Sequence, residues 1–205
     1  MKLELRRTST RVVRNYFLIL LVGISLWVVS AGAPSQTLVL NDASGPPFTT
    51  AEGDGFLDII VGKAFKQAGL TLKLIRIPPE RALLNANAGI DDGELLRIKG
   101  IDKIYTNLIR VPEKVIDLNF VALTRNPDIS VRNWNDLREY NIGYIRGWKI
   151  VENNTRRHQK LSIVRSPKEL FSMLEKNRID IAIYSKWAGF EMVKKNNISS
   201  VRVLE

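Results

Sequence analysis

The chain has 205 residues, 45% hydrophobic and 25% charged, with 31 Lys and Arg against 21 Asp and Glu for a formal net charge of +10. It contains no cysteine, which excludes a disulfide framework, a thiol nucleophile, a thiolate metal site and a lipid-modified cysteine. The charge is uneven: residues 1–33 carry +4, residues 34–124 are nearly balanced at −1, and residues 125–205 carry +7. The bases of the second half are scattered, as on a solvated surface, although their excess also suits anionic ligands or lipid headgroups.

Lys2, Arg6, Arg7, Arg11 and Arg14 against Glu4 precede an apolar run from Phe17 to Val29, and small residues follow from Ser30 to Ala33. The run falls short of the ~20 residues a spanning helix needs, and the order of basic, apolar and small segments is that of a secretory signal. Cleavage after Ala33 or after Ala31 fits the small-residue pattern; an uncleaved anchor is the alternative. Either way the remainder is expected outside the cytoplasm, in the periplasm, and nucleic acid is not expected as a partner.

After the signal the pattern alternates between strand and helix. Thr37 to Leu40 reads as a strand, Asn41 to Gly55 as a Pro/Gly loop and Phe56 to Ala68 as a helix. Leu57, Ile60, Val61, Ala64, Phe65 and Ala68 share one face of that helix, and Gly69 stops it. Leu70 to Ile77 alternates as a strand, Pro78-Pro79 breaks it, and Arg81 to Ala88 forms a helix ended by Gly89. A short strand through Ile90 and Asp91 and a longer one from Val115 to Leu123 complete the first half. A loop at the carboxyl end of a strand is where open α/β sheets hold small ligands.

The same order restarts after Asn126-Pro127. Trp134 to Tyr140 is a short helix, Asn141 to Ile145 a strand, Gly147 a turn, Lys149 to Gln159 a helix and Leu161 to Val164 a strand. Ser166-Pro167-Lys168-Glu169 supplies an N-cap, a proline at N1 and a glutamate at N3 for the next helix, and Ile179 to Tyr184 is the following strand. Alternating strands and helices predict parallel sheets, and the restart predicts two α/β lobes, residues 34–124 and 125–205. An internal echo supports this: Leu83 to Asp91 and Met173 to Asp180 each run from a helix end through a turn to Ile-Asp. Two such lobes facing one another make a cleft, a common ligand site.

Pro46-Pro47-Phe48, Gly55-Phe56, Arg81-Ala82-Leu83, Gly89-Ile90-Asp91, Asn141 to Gly147, and Met173-Leu174 with Arg178-Ile179-Asp180 resemble, in that order, family 3 of the periplasmic solute-binding proteins. These are the polar amino-acid-binding type that serves ABC transporters. The resemblance covers nearly all of the chain after the signal. It implies a two-lobe, type II α/β fold with a central cleft, closing by a hinge on a small polar ligand such as an amino acid. It also implies an ABC permease in the inner membrane as partner, a monomer, and no cofactor.

Candidate ligand contacts are Phe48, Arg81, Glu94, Arg97, Arg146, Trp148, Tyr184 and Ser185. Phe48 at the tip of the first loop suits an apolar ligand face, and Arg81 lies at a helix start, where a cation is electrostatically disfavoured. Arg97 offers a bidentate fork to a carboxylate, with an ion pair to Glu94 or Asp102 as the alternative. After Arg146-Gly147 the family places Thr or Ser; here Trp148-Lys149 follow, leaving backbone N–H groups to meet an anion. Tyr184 and Trp187 are candidates for the second-lobe wall. The family's ammonium-binding aspartate corresponds to Ser185, so an ordinary α-amino acid fits less well than the fold implies.

No Ser-His-Asp, Cys-His or metal-ligand constellation is present, and the lone His158, beside Arg156 and Arg157, reads as a surface residue. An enzyme is therefore not expected; a carboxylate-dependent one using Glu80, Asp91, Asp92 or Glu94 is the lesser alternative, and an extracytoplasmic sensor the other. The family's second lobe is followed by a return strand and a helix. Val201 to Leu204 is expected to begin that return, in a shortened chain with weakened closure.

Overall fold

The structure, a computed structural model, describes residues 35–204; the signal expected over residues 1–33 lies outside the described residues. Strands β1 (Thr37–Asp42), β2 (Thr71–Arg76) and β3 (Gly93–Glu94) form a parallel sheet in the order β2-β1-β3. Helices α1 (Phe56–Gln67) and α2 (Pro79–Asn87) connect them. The second sheet contains β4 (Phe120–Thr124), β5 (Ile142–Ile145), β6 (Leu161–Val164), β7 (Ile181–Ser185) and β8 (Arg202–Leu204), in the order β6-β5-β7-β4-β8. Helices α3 (Lys149–Thr155), α4 (Pro167–Glu175) and α5 (Lys186–Lys195) lie between its strands in sequence.

Local chemistry sets the element ends. Ser166 Oγ accepts the Glu169 N–H at 3.2 Å, and Pro167 opens α4, as the sequence predicts; the Glu169 carboxylate reaches back to the Arg165 N–H instead of to Ser166. Helices α1, α2, α4 and α5 all end on a left-handed residue, Gly69, Gly89, Asn177 and Asn197 in turn. In each, the next N–H bonds back five residues: Leu70 to Phe65, Ile90 to Asn85, Arg178 to Met173 and Ile198 to Val193. This Schellman closure satisfies carbonyls that a helix end otherwise exposes.

The internal echo is structural. Asp92 accepts the Val39 N–H through its carboxylate at 2.8 Å and returns its own N–H to Val39 O at 2.9 Å. Asp180 does the same with Asn141, at 2.7 and 2.8 Å. Each aspartate thus ties the entry of its sheet's third strand to the start of its first, and both sheets share a 2-1-3 core order. Asp91 instead accepts from the Asn41 and Asn85 amides at 3.1 Å. The strand expected at Ile90 and Asp91 is displaced to Gly93–Glu94, and Ile90 is exposed.

The second sheet holds most of the core. β5 and β7 are buried at every residue, which is why they read as continuous apolar runs. Leu123, Leu170, Phe171, Leu174 and Tyr184 pack on one face, and Ile142, Tyr144, Val151, Ile181 and Ile183 form a second cluster. The segment expected to begin a return strand, Val201 to Leu204, contains β8, which pairs antiparallel with β4 on the edge of this sheet. Two sequence expectations are corrected here. The strand expected from Val115 to Leu123 and assigned to the first lobe is β4 at Phe120–Thr124, which pairs antiparallel with β7 in the second sheet. His158, read as surface, is buried with Nε2 at 3.2 Å from Trp134 O; flanking charges misled because the residue follows a helix end and turns inward.

Two helices depart from their patterns. Of the apolar face expected on α1, Leu57 alone is buried, while Ile60 is 42% exposed and Ala64 and Ala68 are exposed. Helix α5 gives no apolar stripe in sequence because its buried residues are Ala188 and Gly189, whereas Trp187 and Phe190 are exposed and stack edge-on at 5.9 Å. Gly189 lets α5 lie against β4: a Cβ there would sit 3.1 Å from Leu123 Cδ1.

Candidate functional site

Parallel strands in both sheets point their carboxyl ends at one cavity of about 70 Å³. The segment after β1 supplies Ala43, Ser44 and Phe48, the one after β3 Leu96, Arg97 and Ile98, the one after β5 Trp148, Lys149 and Ile150, and β7 ends on Ser185. Pro79, following β2, and Leu118 and Phe120 at the entry to β4 complete the lining. Of the eight candidates, Phe48, Arg97, Trp148 and Ser185 meet here.

The first loop is held by a buried carboxylate. Asp42, at the end of β1, accepts from the Ser44 N–H at 3.0 Å, from Ser44 Oγ and from Thr49 Oγ1 at 2.5 Å. Asp58 accepts the Thr50 and Gly55 N–H groups at 2.8 and 3.1 Å. Gly55 must lack a side chain, since a Cβ would lie 2.5 Å from Phe48 O. Together these contacts fix Phe48, which is 3% exposed, between the cavity and the core.

Arg97 joins the two halves of the cavity. It donates from Nη1 to Gly147 O at 3.1 Å and from Nη2 to Pro79 O. Its Nη2 also lies 2.5 Å from Glu94 Oε1, with the two side chains 15% and 4% exposed. The alternative reading of Arg97, an ion pair with Glu94, is therefore present, and Asp102 is not its partner. The contact is ionic without hydrogen-bond geometry: both Glu94 oxygens and Arg97 Nε are buried with no hydrogen-bond partner. Burial pushes the Glu94 carboxyl up despite the close guanidinium of Arg97, which pulls the other way, and the charge of Asp42 adds to the rise.

The turn after β5 closes against the start of α2. Gly147 has φ +89°, and a Cβ there would lie 2.4 Å from the Glu80 nitrogen, so glycine permits both the left-handed turn and the approach. Arg146 and Lys149 reach Glu80 at 4.0 and 3.9 Å. Two of the backbone amides at this turn are occupied: Gly147 N–H donates to Glu152 Oε1 at 2.7 Å and Trp148 N–H to Ile145 O at 3.3 Å. Glu152 also accepts from Lys149 Nζ at 2.7 Å. Burial works against the Lys149 charge, but Glu152, Tyr105 and Glu80 together hold its ammonium above the usual lysine value.

The aromatic wall is layered. Trp148 meets Phe120 edge-on at 5.1 Å and Tyr184 at 4.7 Å, and Tyr184 meets Phe171 at 5.1 Å. Tyr184, a candidate contact, stands behind Trp148 in the core, where burial pushes its phenol up. Ser185 is 7% exposed and lines the cavity, and its Oγ is buried with no hydrogen-bond partner. Of the remaining candidates, Glu94 stands against Arg97, Arg146 extends its half-exposed side chain toward Glu80, and Arg81 is exposed on α2. Sequence reasoning missed Lys149 and Ser44 as lining residues; their signal was position, directly after Trp148 and two residues beyond β1.

Among the described residues no group of three His, Cys, Asp or Glu is placed to hold a metal, and no helix is long and apolar enough to cross a membrane. No family model matches the chain. An uncharacterized protein of Shewanella oneidensis is 32% identical over 134 residues, covering 63% of this chain and 51% of its own length. The chain thus spans about half the length of that curated relative.

Solved structures resemble it more completely. An ancestral arginine-binding protein bound to arginine superposes with a TM-score of 0.69 at 16% identity, covering 84% of this chain and 80% of that one. The holo arginine-binding protein of T. maritima gives 0.67 at 16% identity, covering 82% and 76%. A histidine kinase sensor domain with similarity to periplasmic binding proteins gives 0.66 at 14% identity, covering 83% and 77%. With its two sheets and strand-end cavity, the chain has the two-lobe α/β fold of the periplasmic binding proteins.

Proposed function

We propose that this chain is a periplasmic binding protein whose two lobes, one carrying β1 to β3 and the other β4 to β8, close on a small polar solute and present it to an ABC-type permease in the inner membrane. The observation that carries this reading is the cavity at the strand ends, where Ser185 Oγ is buried without a partner; such an atom is costly unless something bonds to it. Arg97, bonded to carbonyls on both sides of the cavity, is the closure contact. The signal-like pattern of residues 1–33 supports export. Neighbours in fold that bind arginine or glutamine make amino acids and related compounds the first solutes to test.

A thermal-shift screen of the purified exported form against amino acids, amines, organic acids and oligopeptides tests the reading. A solute that binds the folded state alone raises Tm in a concentration-dependent way, and a panel without any shift refutes it. A sensory role is the second reading, favoured by the likeness to a kinase sensor domain. Loss of the protein lowers uptake of labelled solute if it transports, and leaves uptake intact while altering a transcriptional response if it senses.

A further inference from the structure

The polar side chains lining the cavity are Ser44, Arg97, Lys149 and Ser185. Two are fixed cations, two are hydroxyls, and neither a carboxylate nor a side-chain amide is among them. Arg97 and Lys149 only donate, and a hydroxyl donates or accepts. Ser44 Oγ already donates to Asp42. Arg97 Nε and Ser185 Oγ are buried without hydrogen-bond partners. Lys149 Nζ bonds to Glu152 and stands 3.9 Å from Glu80, with its side chain 15% exposed.

The nearby carboxylates do not reverse this polarity. Glu94 stands against Arg97, Glu152 and Glu80 stand against Lys149, and Asp42 is taken up by Ser44 and Thr49. They compensate the cations without lining the cavity. The rest of the lining is apolar, with Phe48, Phe120 and Trp148 as its aromatic members and Leu96, Ile98 and Leu118 among its aliphatic ones.

We infer that the solute is a small monocarboxylate with an apolar or aromatic body and no ammonium group. This deepens the solute-binding reading proposed above and rests on it. The carboxylate accepts from the Ser185 hydroxyl and Lys149, with Arg97 Nε as the further donor, and the body lies against Trp148, Phe120 and Phe48. An ammonium in the same cavity meets two cations and no lining carboxylate. Its desolvation goes uncompensated, so each amino acid binds more weakly than its deaminated counterpart.

The test is isothermal titration of the exported form with two matched series. One is 3-phenylpropionate, phenylalanine and phenethylamine; the other is 4-methylpentanoate, leucine and isopentylamine. The expected result is at least one carboxylate binding roughly ten-fold or more tightly than its amino acid, with its amine not binding. Ser185→Ala weakens that carboxylate several-fold without lowering Tm, whereas a drop in Tm with affinity unchanged removes Ser185 from the site. An amino acid that binds as tightly as its carboxylate, or binding in the broader screen confined to compounds with an ammonium or without a carboxylate, overturns the solute class while solute binding stands. If neither these series nor the broader screen gives any binding, solute binding itself fails and the solute class fails with it.

Discussion

Replacing Arg97 by Met removes a cation from the seam between the lobes while keeping an apolar stem of similar length. Three contacts disappear: the donors to Gly147 O and Pro79 O, and the ion pair with Glu94. The ion pair decides the magnitude. The Glu94 side chain is 4% exposed, neither of its oxygens has a hydrogen bond, and Arg97 is its ion-pair partner. Removing one partner of a buried pair costs about 3–5 kcal/mol, because the other is left as an uncompensated charge. Against a total of roughly 5–15 kcal/mol this is a large fraction, equivalent to a Tm drop of ~6–20 °C at this chain length.

The pH dependence follows from the same residue. Burial raises the Glu94 carboxyl above its unfolded value, so the folded state favours the protonated acid. Its stabilising contribution is full below the unfolded pKa and is lost as pH rises through the folded one. Arg97→Met raises the folded value further, so the deficit relative to the parent is largest near neutral pH and shrinks as pH falls. Urea denaturation of the parent, Arg97→Met, Glu94→Gln and the double variant at about pH 5 and about pH 8 measures both effects. Glu94→Gln in the Met background should restore at least ~1 kcal/mol at the higher pH, as a coupled pair requires. A loss below ~1 kcal/mol for Arg97→Met, or a deficit equal at the two pH values, refutes the reasoning.

Four further outcomes are expected. Gly147→Ala places a Cβ against the Glu80 backbone and forces a non-glycine residue to φ +89°; at about 1–3 kcal/mol of strain acting on closure, titration should show solute affinity reduced roughly 5–150-fold, and unchanged affinity would show that the turn does not approach α2. Thr49→Val removes the 2.5 Å donor to buried Asp42, costing about 1–3 kcal/mol and loosening the loop that carries Phe48, seen as a lower Tm and altered near-UV dichroism. Phe171→Ala, at a side chain 1% exposed and edge-on to Tyr184, should cost about 3–5 kcal/mol in urea. Ile60→Ala on the exposed side of α1 should cost less than ~1 kcal/mol, and similar costs for the two would place the core wrongly.

Much of the architecture was legible because it is local. Ser166-Pro167 opens a helix, Gly69 and Gly89 close helices, and the apolar runs at Ile142 and Ile181 are buried strands; each depends on capping, backbone freedom or periodicity within a few residues. Where the sequence misled, the missing quantity was a long-range contact. Strand β4 reads the same whichever sheet it joins, and only its register with Ile181 to Ser185 assigns it to the second. His158 lies among charges in sequence but beside Trp134 in space. Helix α5 was invisible because its fully buried residues, Ala188 and Gly189, are small, while Met192 and Val193 pack only partly buried and Trp187 and Phe190 face outward.

The candidate site divides in the same way. The residues after strand ends could be named from sequence, since in a parallel sheet every carboxyl end faces one side; Phe48, Arg97, Trp148 and Ser185 meet for that reason. Side-chain direction could not be read, and it moves Tyr184 behind Trp148, chooses Glu94 over Asp102 as the partner of Arg97 and leaves Arg81 exposed. By itself the sequence determined most of the strands and helices, α5 and the position of β3 excepted, and that Ser185 offers a hydroxyl and no charge. Only the tertiary structure decided that Arg97 reaches the Gly147 carbonyl of the other lobe and that Glu80 stands behind Lys149, because each contact joins residues fifty or more positions apart in the chain.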